Sequence, residues 1–381
     1  MSIVDPEKAA LYERFVAAVG NLTYDNLHLF REFENETGFD QIKSEMEDIA
    51  VQVQNRTLPT PGKVGKQVVN ITPILGEFGI AYTFASPVAR YISPRPLRDN
   101  PKLRDKYKAD IVNCQVVGFS CTSYTGFPVG RSVKYSVHSP YEVQQASDKF
   151  EYGFNGSNLI FYIASQIISD VEVYKLKLSQ RHCFLQTEPS DDLPFSSFNI
   201  CLMKCRRRLA IRLCGCAPFF YNSLGGNKKV CNAKGLACLS RHVKHLQTLY
   251  KEVGGVEKKE SCRCIQPCEH IKYEVRTAQV APAGFHVMIT YGMKEFSTTR
   301  YIKRVLFGIE DLLVSYGGTA GFFLGCSLLS VFELVYFFTL RLVCVVFCHS
   351  RGSKGGDRQK RRLQREQWFQ SLHPNLKEPF Y

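Results

Sequence analysis

The sequence predicts an α+β membrane protein: a disulfide-rich extracellular domain, with a mixed sheet and helices, on a C-terminal transmembrane helix. Three observations carry that expectation. Twelve of the fifteen cysteines fall between Cys114 and Cys268, a density suited to an oxidising compartment. Helix-like and strand-like patterns alternate along the first 300 or so residues without an internal repeat. Finally, Gly317 to Cys348 is a 32-residue stretch with two charges, Glu333 and Arg341, which is long enough to cross a bilayer.

In chain order, Asp5-Pro6 reads as a helix start, with Leu11, Phe15, Val16 and Val19 on the apolar face behind it. A second short helix is expected over Tyr24 to Phe33, and Thr57 to Lys66 is Pro/Gly-rich loop. From about Asp110 the pattern turns to strands. Val116 to Tyr124, Val133 to His138 and the alternating V-E-V-Y-K-L-K-L of Val171 to Leu178 are the candidates. Helix returns at Ser197 to Leu213 and at Arg241 to Val253, where Gly254-Gly255 stops it. Ile271 to Val275 and Val287 to Tyr291 read as strands leading back towards the membrane.

A hydrophobic share of 45%, with 27 Phe and 19 Tyr, can bury a core and excludes disorder as the main state. The net charge of +14 does not imply nucleic acid. Arg351 to Arg365 holds seven basic residues and one acidic. Positive charge beside a span stays cytosolic, where Lys360-Arg361-Arg362 would meet anionic lipid. Arg206-Arg207-Arg208 reads as a solvated helix face. Five N-x-S/T sequons, at Asn21, Asn35, Asn55, Asn70 and Asn155, are glycosylation candidates and agree with an outside location for the body. The first thirty residues contain no apolar run of the signal-peptide kind. No H-E-x-x-H, P-loop, G-x-S-x-G or G-x-G-x-x-G occurs, so no enzyme, cofactor or metal site is expected. His242 and His245 read as surface residues.

Cys201 and Cys205 would share one helix face about 6 Å apart, while Cys262 and Cys264 would lie about 6.6 Å apart on one side of an extended segment. These spacings match, so two bridges could join helix and strand. Cys214-Gly-Cys216, Cys231 and Cys238 offer a second set, with Cys183 and Cys268 bracketing the whole. Thiolate ligation of zinc is the competing reading, and spacing alone fixes no connectivity. In the membrane segment, Gly317, Gly321 and Gly325 form a four-residue stripe where a second backbone can approach. Glu333 within the span points to a bundle interior or a water-filled path. A single-pass receptor anchor that dimerises through its glycines fits the same residues.

Arg181-His182-Cys183-Phe184-Leu185-Gln186-Thr187-Glu188, Cys201-x3-Cys205, Cys214-Gly-Cys216-x-Pro218, and Cys262-x-Cys264-x2-Pro267-Cys268 resemble the thumb of degenerin/epithelial sodium channels. His138-Ser139-Pro140-Tyr141-Glu142 resembles the H-S-P-x-E segment of the family, particularly of its insect pickpocket branch. Gly79 to Phe84 is similar to the G-x-C-Y-T-F motif, with Ala81 in place of the cysteine. Gly317 to Phe337 is similar to the family's second membrane helix. The likeness runs from about Leu75 to Arg341.

The resemblance implies a finger, palm and thumb body over 1–310, with its cysteine-rich thumb at about 183–268, a pore-lining helix over 311–348, and a basic cytosolic tail over 349–381. It implies nested bridges Cys183–Cys268, Cys201–Cys264, Cys205–Cys262, Cys214–Cys238 and Cys216–Cys231, with Cys114 and Cys121 paired locally. Gly325, Cys326 and Ser327 fall on the selectivity filter, where oxygen ligands replace part of a cation's water shell. Val314, Gly317, Gly318 and Gly321 fall on the pore entry and gate. Val314 stands at the degenerin position, where small residues are usual and bulky ones favour opening. Glu333 would be an inward-facing pore acid. Cys344 and Cys348, on the reducing side, read as membrane-face residues or palmitoylation sites.

By that resemblance the chain would be a plasma-membrane subunit of a trimeric, amiloride-sensitive, sodium-selective channel, gated by ligand or force. Its partners would be sodium ions and two more subunits, of its own or related kind. The family also has a first membrane helix preceded by a His-Gly motif. No apolar run of that length precedes Gly317, and no His-Gly pair occurs. The expectation is therefore a truncated gene model or isoform, and the alternative function is a non-conducting single-span accessory or ligand-binding subunit.

Overall fold

The computed structural model describes residues 6–54, 62–64, 67–69, 71–84, 86–100, 122–127, 132–190, 193–225, 229–253, 256–281, 287–295, 299–325, 327–343, 364–365 and 367. Cys114, Cys121, Asn55, Asn70, Cys326, Cys344 and Cys348 lie outside them. Two compact units divide the chain, Met1–Arg304 and Val305–Tyr381.

The larger unit begins with the helix Pro6–Gly20. Tyr24–Phe33 follows as the tighter 3-10 form, its start closed by a capping box between Thr23 and Asn26. Phe15, Phe30, Phe33 and Phe39 close into an aromatic cluster with ring centroids 4.5 to 6.2 Å apart. Helix Glu45–Gln54 packs beside it, and Gly20 has no side chain because a Cβ there would meet Val53 at 2.5 Å.

Thirteen strands are present among the described residues. They are β1 (Gly62–Val64), β2 (Gln67–Val69), β3 (Ile71–Gly76), β4 (Gly79–Phe84), β5 (Thr122–Phe127), β6 (Val133–Tyr135), β7 (Glu151–Gly153), β8 (Gly156–Ser169), β9 (Tyr250–Val253), β10 (Val256–Lys259), β11 (His270–Ala281), β12 (Val287–Met293) and β13 (Thr299–Lys303). A seven-stranded mixed sheet runs β11-β8-β12-β5-β1-β2, with β13 also on β8. The 14-residue β8 is its axis. β11 pairs antiparallel along one edge of it, and β12 and β13 lie parallel along the other. β8 went unnoticed in the sequence because its N-L-I-F-Y-I-A run does not alternate; Ile160, Phe161 and Tyr162 are buried in succession. Ile160, Tyr162, Val287 and Ile289 form a small core on β8 and β12.

Four sequence expectations fail here. The loop expected over Thr57 to Lys66 contains β1, which pairs with β2 and β5. Val171 to Leu178 is no strand. Asp170 accepts the Val171 N–H and starts the helical turn Val171–Lys175, and Leu178–Arg181 forms another. Val173 is the one buried residue of the first turn, so the alternation marks no half-buried face. Arg241 to Val253 is a short helix, Val243–Thr248, and then β9, because Leu249 turns left-handed (φ 57°) and ends the helix five residues before the glycines. Cys262 and Cys264 do not share an extended segment, since Arg263 between them is left-handed (φ 52°).

Two longer helices complete this unit. Phe198–Cys214 is capped by the Ser197 hydroxyl at its start and stopped by left-handed Gly215 (φ 73°). Ala233–Ser240 packs on the Tyr24–Phe33 segment through buried Leu236 and Leu239.

Candidate functional site in the stapled module and the broken apolar helix

Five bridges staple the helical module: Cys183–Cys268, Cys201–Cys264, Cys205–Cys262, Cys214–Cys238 and Cys216–Cys231. These are the pairings the resemblance implies. Cα separations are 5.8 Å for Cys201–Cys264 and 5.5 Å for Cys205–Cys262, so the left-handed turn at Arg263 still presents both sulfurs to successive turns of the helix. Cys214, Cys238 and His242 bring possible ligand atoms within 4.8 Å of one another. Both sulfurs are consumed in one bridge, which leaves no thiolate for zinc.

The motif His138 to Glu142 finds its physical reason at the start of helix Phe198–Cys214. The Glu142 carboxylate accepts from the Ser197 hydroxyl (2.7 Å) and from the N–H groups of Phe198 (3.0 Å) and Asn199 (3.1 Å). A negative group at a helix N-terminus satisfies donors that have no partner within the helix. Burial nonetheless pushes the Glu142 carboxyl up. His138 is pushed below its ordinary range by burial, against the pull of the Ser139 carbonyl and Asp148.

Arg206 is not on a solvated face. It is 1% exposed, and Glu77 opposite it is wholly buried. The guanidinium donates to the carbonyls of Leu246 (3.0 Å) and Gln247 (3.1 Å), to Glu77 (3.1 Å), to Ser147 (3.1 Å) and to Gln145. Glu77 also accepts from the Ala146 N–H and the Tyr221 hydroxyl, which lies 2.6 Å from that of Tyr24. Burial raises the Glu77 carboxyl, and Arg206 pulls against it. Burial likewise raises the Tyr24 and Tyr221 hydroxyls. His245 also differs from expectation: it is largely covered and 3.1 Å from Glu260, which Arg212 reaches at 3.2 Å.

In the smaller unit the expected single membrane helix is interrupted. Helix Ile309–Leu324 ends at left-handed Gly325 (φ 62°), whose N–H donates to the Gly321 carbonyl. Ser327 then caps a new helix, Leu328–Tyr336, its hydroxyl accepting the Ser330 N–H at 3.2 Å. Glycine is the usual left-handed stop and serine a preferred start, so this triplet reads as an end and a beginning two residues apart. No single helix among the described residues is long and apolar enough to cross a membrane, but Ile309–Leu324 with Leu329–Arg341, bent by 84°, passes as a pair by length and composition. At 1.5 Å per residue the halves span about 24 and 20 Å, each short of a hydrocarbon core of about 30 Å.

Val314, Gly317, Gly318 and Gly321 share the first helix, and Glu333 sits on the second. A Cβ at Gly317 or Gly318 would touch nothing within 4 Å, so one chain alone makes no use of the space the glycines leave. Val314, Phe322, Phe323 and Leu329 are among many exposed apolar residues of this unit. An apolar surface of that extent calls for lipid or further protein. The hydroxyls of Thr319 and Thr339 donate to the carbonyls of Ser315 and Val335, four residues back.

A disulfide-stapled α+β body that runs on into an apolar helix pair, broken at glycine and serine, is the class these features define. The family described as amiloride-sensitive sodium channel matches residues 16–337, and the chain belongs to it. Over 186 residues it is 28% identical to Pickpocket protein 11 of Drosophila melanogaster, covering 44% of this chain and 34% of that protein. It is 24% identical over 208 residues to the sodium channel protein Nach of the same fly, covering 50% and 37%. With the human bile acid-sensitive ion channel it shares 25% over 264 residues, covering 62% and 49%. The matched stretch thus spans about a third to a half of the length of these relatives. The family's description is of a channel, not an enzyme.

Proposed function

We propose that this chain is a pore-forming subunit of a plasma-membrane, sodium-selective, amiloride-sensitive cation channel, assembled as a trimer of its own or related subunits. The body over 1–310 faces outward, 311–348 lines the pore and the basic tail 349–381 is cytosolic. Gly325, Cys326 and Ser327 form the filter, Val314 with Gly317, Gly318 and Gly321 forms the entry and gate, and Glu333 faces the path. The observation that carries this reading is the helix break at Gly325 and Ser327, inside an apolar segment of a chain that belongs to this family. A helix end leaves its last carbonyls without donors from its own helix, and such oxygens can stand in for a cation's water.

The test is whole-cell current from the complete reading frame, with sodium and potassium exchanged and amiloride added. Ser327→Ala should change the sodium/potassium permeability ratio or abolish current while surface expression stays intact. An unchanged ratio with normal current removes the filter assignment. Absence of any current at normal surface density, alone and with related subunits, favours the non-conducting accessory subunit.

A further inference from the structure

One charge of the apolar segment has no role in this reading. Arg341 lies eight residues beyond Glu333, and seven uncharged residues, Leu342 to Cys348, separate it from the start of the polar tail. On an uninterrupted α-helix it would stand about 80° round from Glu333. Phe337–Arg341, however, is π-helical. A π turn absorbs one extra residue, which returns Arg341 to within about 20° of the Glu333 stripe.

Its side chain gives the direction. The Arg341 guanidinium carbon lies 4.2 Å from the centre of the Phe337 ring, a cation–π contact. Phe337 is four residues after Glu333, on the same side of the helix. The guanidinium therefore folds back towards the N-terminal end of the helix, along the Glu333 face and away from the basic tail. An arginine facing lipid near the end of a span would extend the other way, to the nearer headgroups.

We propose that Arg341 faces the same water-filled path as Glu333 and is a fixed positive charge on the tail side of the cation pathway. Phe337 holds the guanidinium against the wall, so the path keeps its width. The charge thins the cations waiting at that mouth, so outward flow, which enters at the tail side, is held back more than inward flow. For a cation passing at about 8 Å in a water-like medium, the thinning is about two-fold per arginine. This inference rests on the cation-channel reading.

The test uses the complete subunit in a cell membrane with equal sodium on both sides. Arg341→Gln should raise outward relative to inward current by about two-fold or more, and Arg341→Lys should keep the native ratio. Arg341→Cys should react with a charged methanethiosulfonate applied from the cytosolic side, and a positively charged adduct should restore the native ratio. An unchanged current–voltage relation for Arg341→Gln at normal surface density overturns the inference. So does an Arg341→Cys that reacts with a lipid-soluble maleimide and not with the charged reagent. Absence of current from the native subunit, alone and with related subunits, would instead remove the channel reading, and the two labelling reagents would still decide whether position 341 faces water or lipid.

Discussion

Arg206→Met should destabilise the larger unit more than any surface change of similar size. Arg206 and Glu77 are both buried, and the guanidinium satisfies Glu77, Gln145, Ser147 and the carbonyls of Leu246 and Gln247. Removing one partner of a buried pair costs about 3–5 kcal/mol, against a total stability of about 5–15 kcal/mol for an ordinary domain. The thermal midpoint should fall by several degrees at least, and the yield of folded protein with it. Adding Glu77→Gln should recover part of the loss, because the uncompensated charge is gone. A pH signature accompanies this. Burial already raises the Glu77 carboxyl, and loss of Arg206 removes the main opposing influence. A carboxyl raised in the folded state contributes stability that is present at low pH and lost as pH rises through its folded value. The gap between variant and native protein should therefore narrow as pH falls towards 4.5. The assay is thermal unfolding of the detergent-solubilised, non-reduced chain across pH 4.5 to 8. A constant gap, or a double variant no better than the single one, would refute the pairing account.

Gly235→Ala places a Cβ 2.4 Å from the Cys216 sulfur and 3.1 Å from that of Cys231; non-reducing peptide mapping should find the Cys216–Cys231 bridge depleted, while Cys183–Cys268 persists. His138, pushed below its ordinary 6.5 by burial, contributes stability that is present above pH 6.5 and lost as pH falls through its folded value. His138→Gln should therefore flatten the acid side of the unfolding curve, and an identical curve would remove that assignment. Asn155 is exposed in the turn between β7 and β8, so Asn155→Gln should remove one glycan's mass from the cell-expressed chain, as read by glycosidase shift on a gel.

What could be read in the sequence follows from how local each signal is. The Asp5-Pro6 signal and Ser197 mark helix starts within a single turn, and both helices begin within a residue of where the sequence puts them. Glu77 and Arg206 are 129 positions apart, and only the folded topology makes them neighbours; a run of three arginines alone looks like a wet surface. The helix break is a different failure. Gly325 and Ser327 carried the stop and start signals openly, but hydropathy averages over a window and cannot register a cap. The alternation of Val171 to Leu178 misled for the opposite reason, since a period of two means a strand only where a sheet edge is there to receive it.

Strand β8 has a mechanical consequence. β13 lies alongside it in parallel from Thr299↔Ser165 to Lys303↔Ser169, and the Asp170 N–H reaches the Lys303 carbonyl just beyond. A pull along β13 loads that whole row of hydrogen bonds in shear, so the bonds share the force instead of parting one at a time as they would if peeled. On the opposite edge β11 begins two residues after Cys268, which is tied covalently to Cys183. Tension entering at either strand therefore meets the same stiff rod, and β8 carries it as a lengthwise displacement with little stretch.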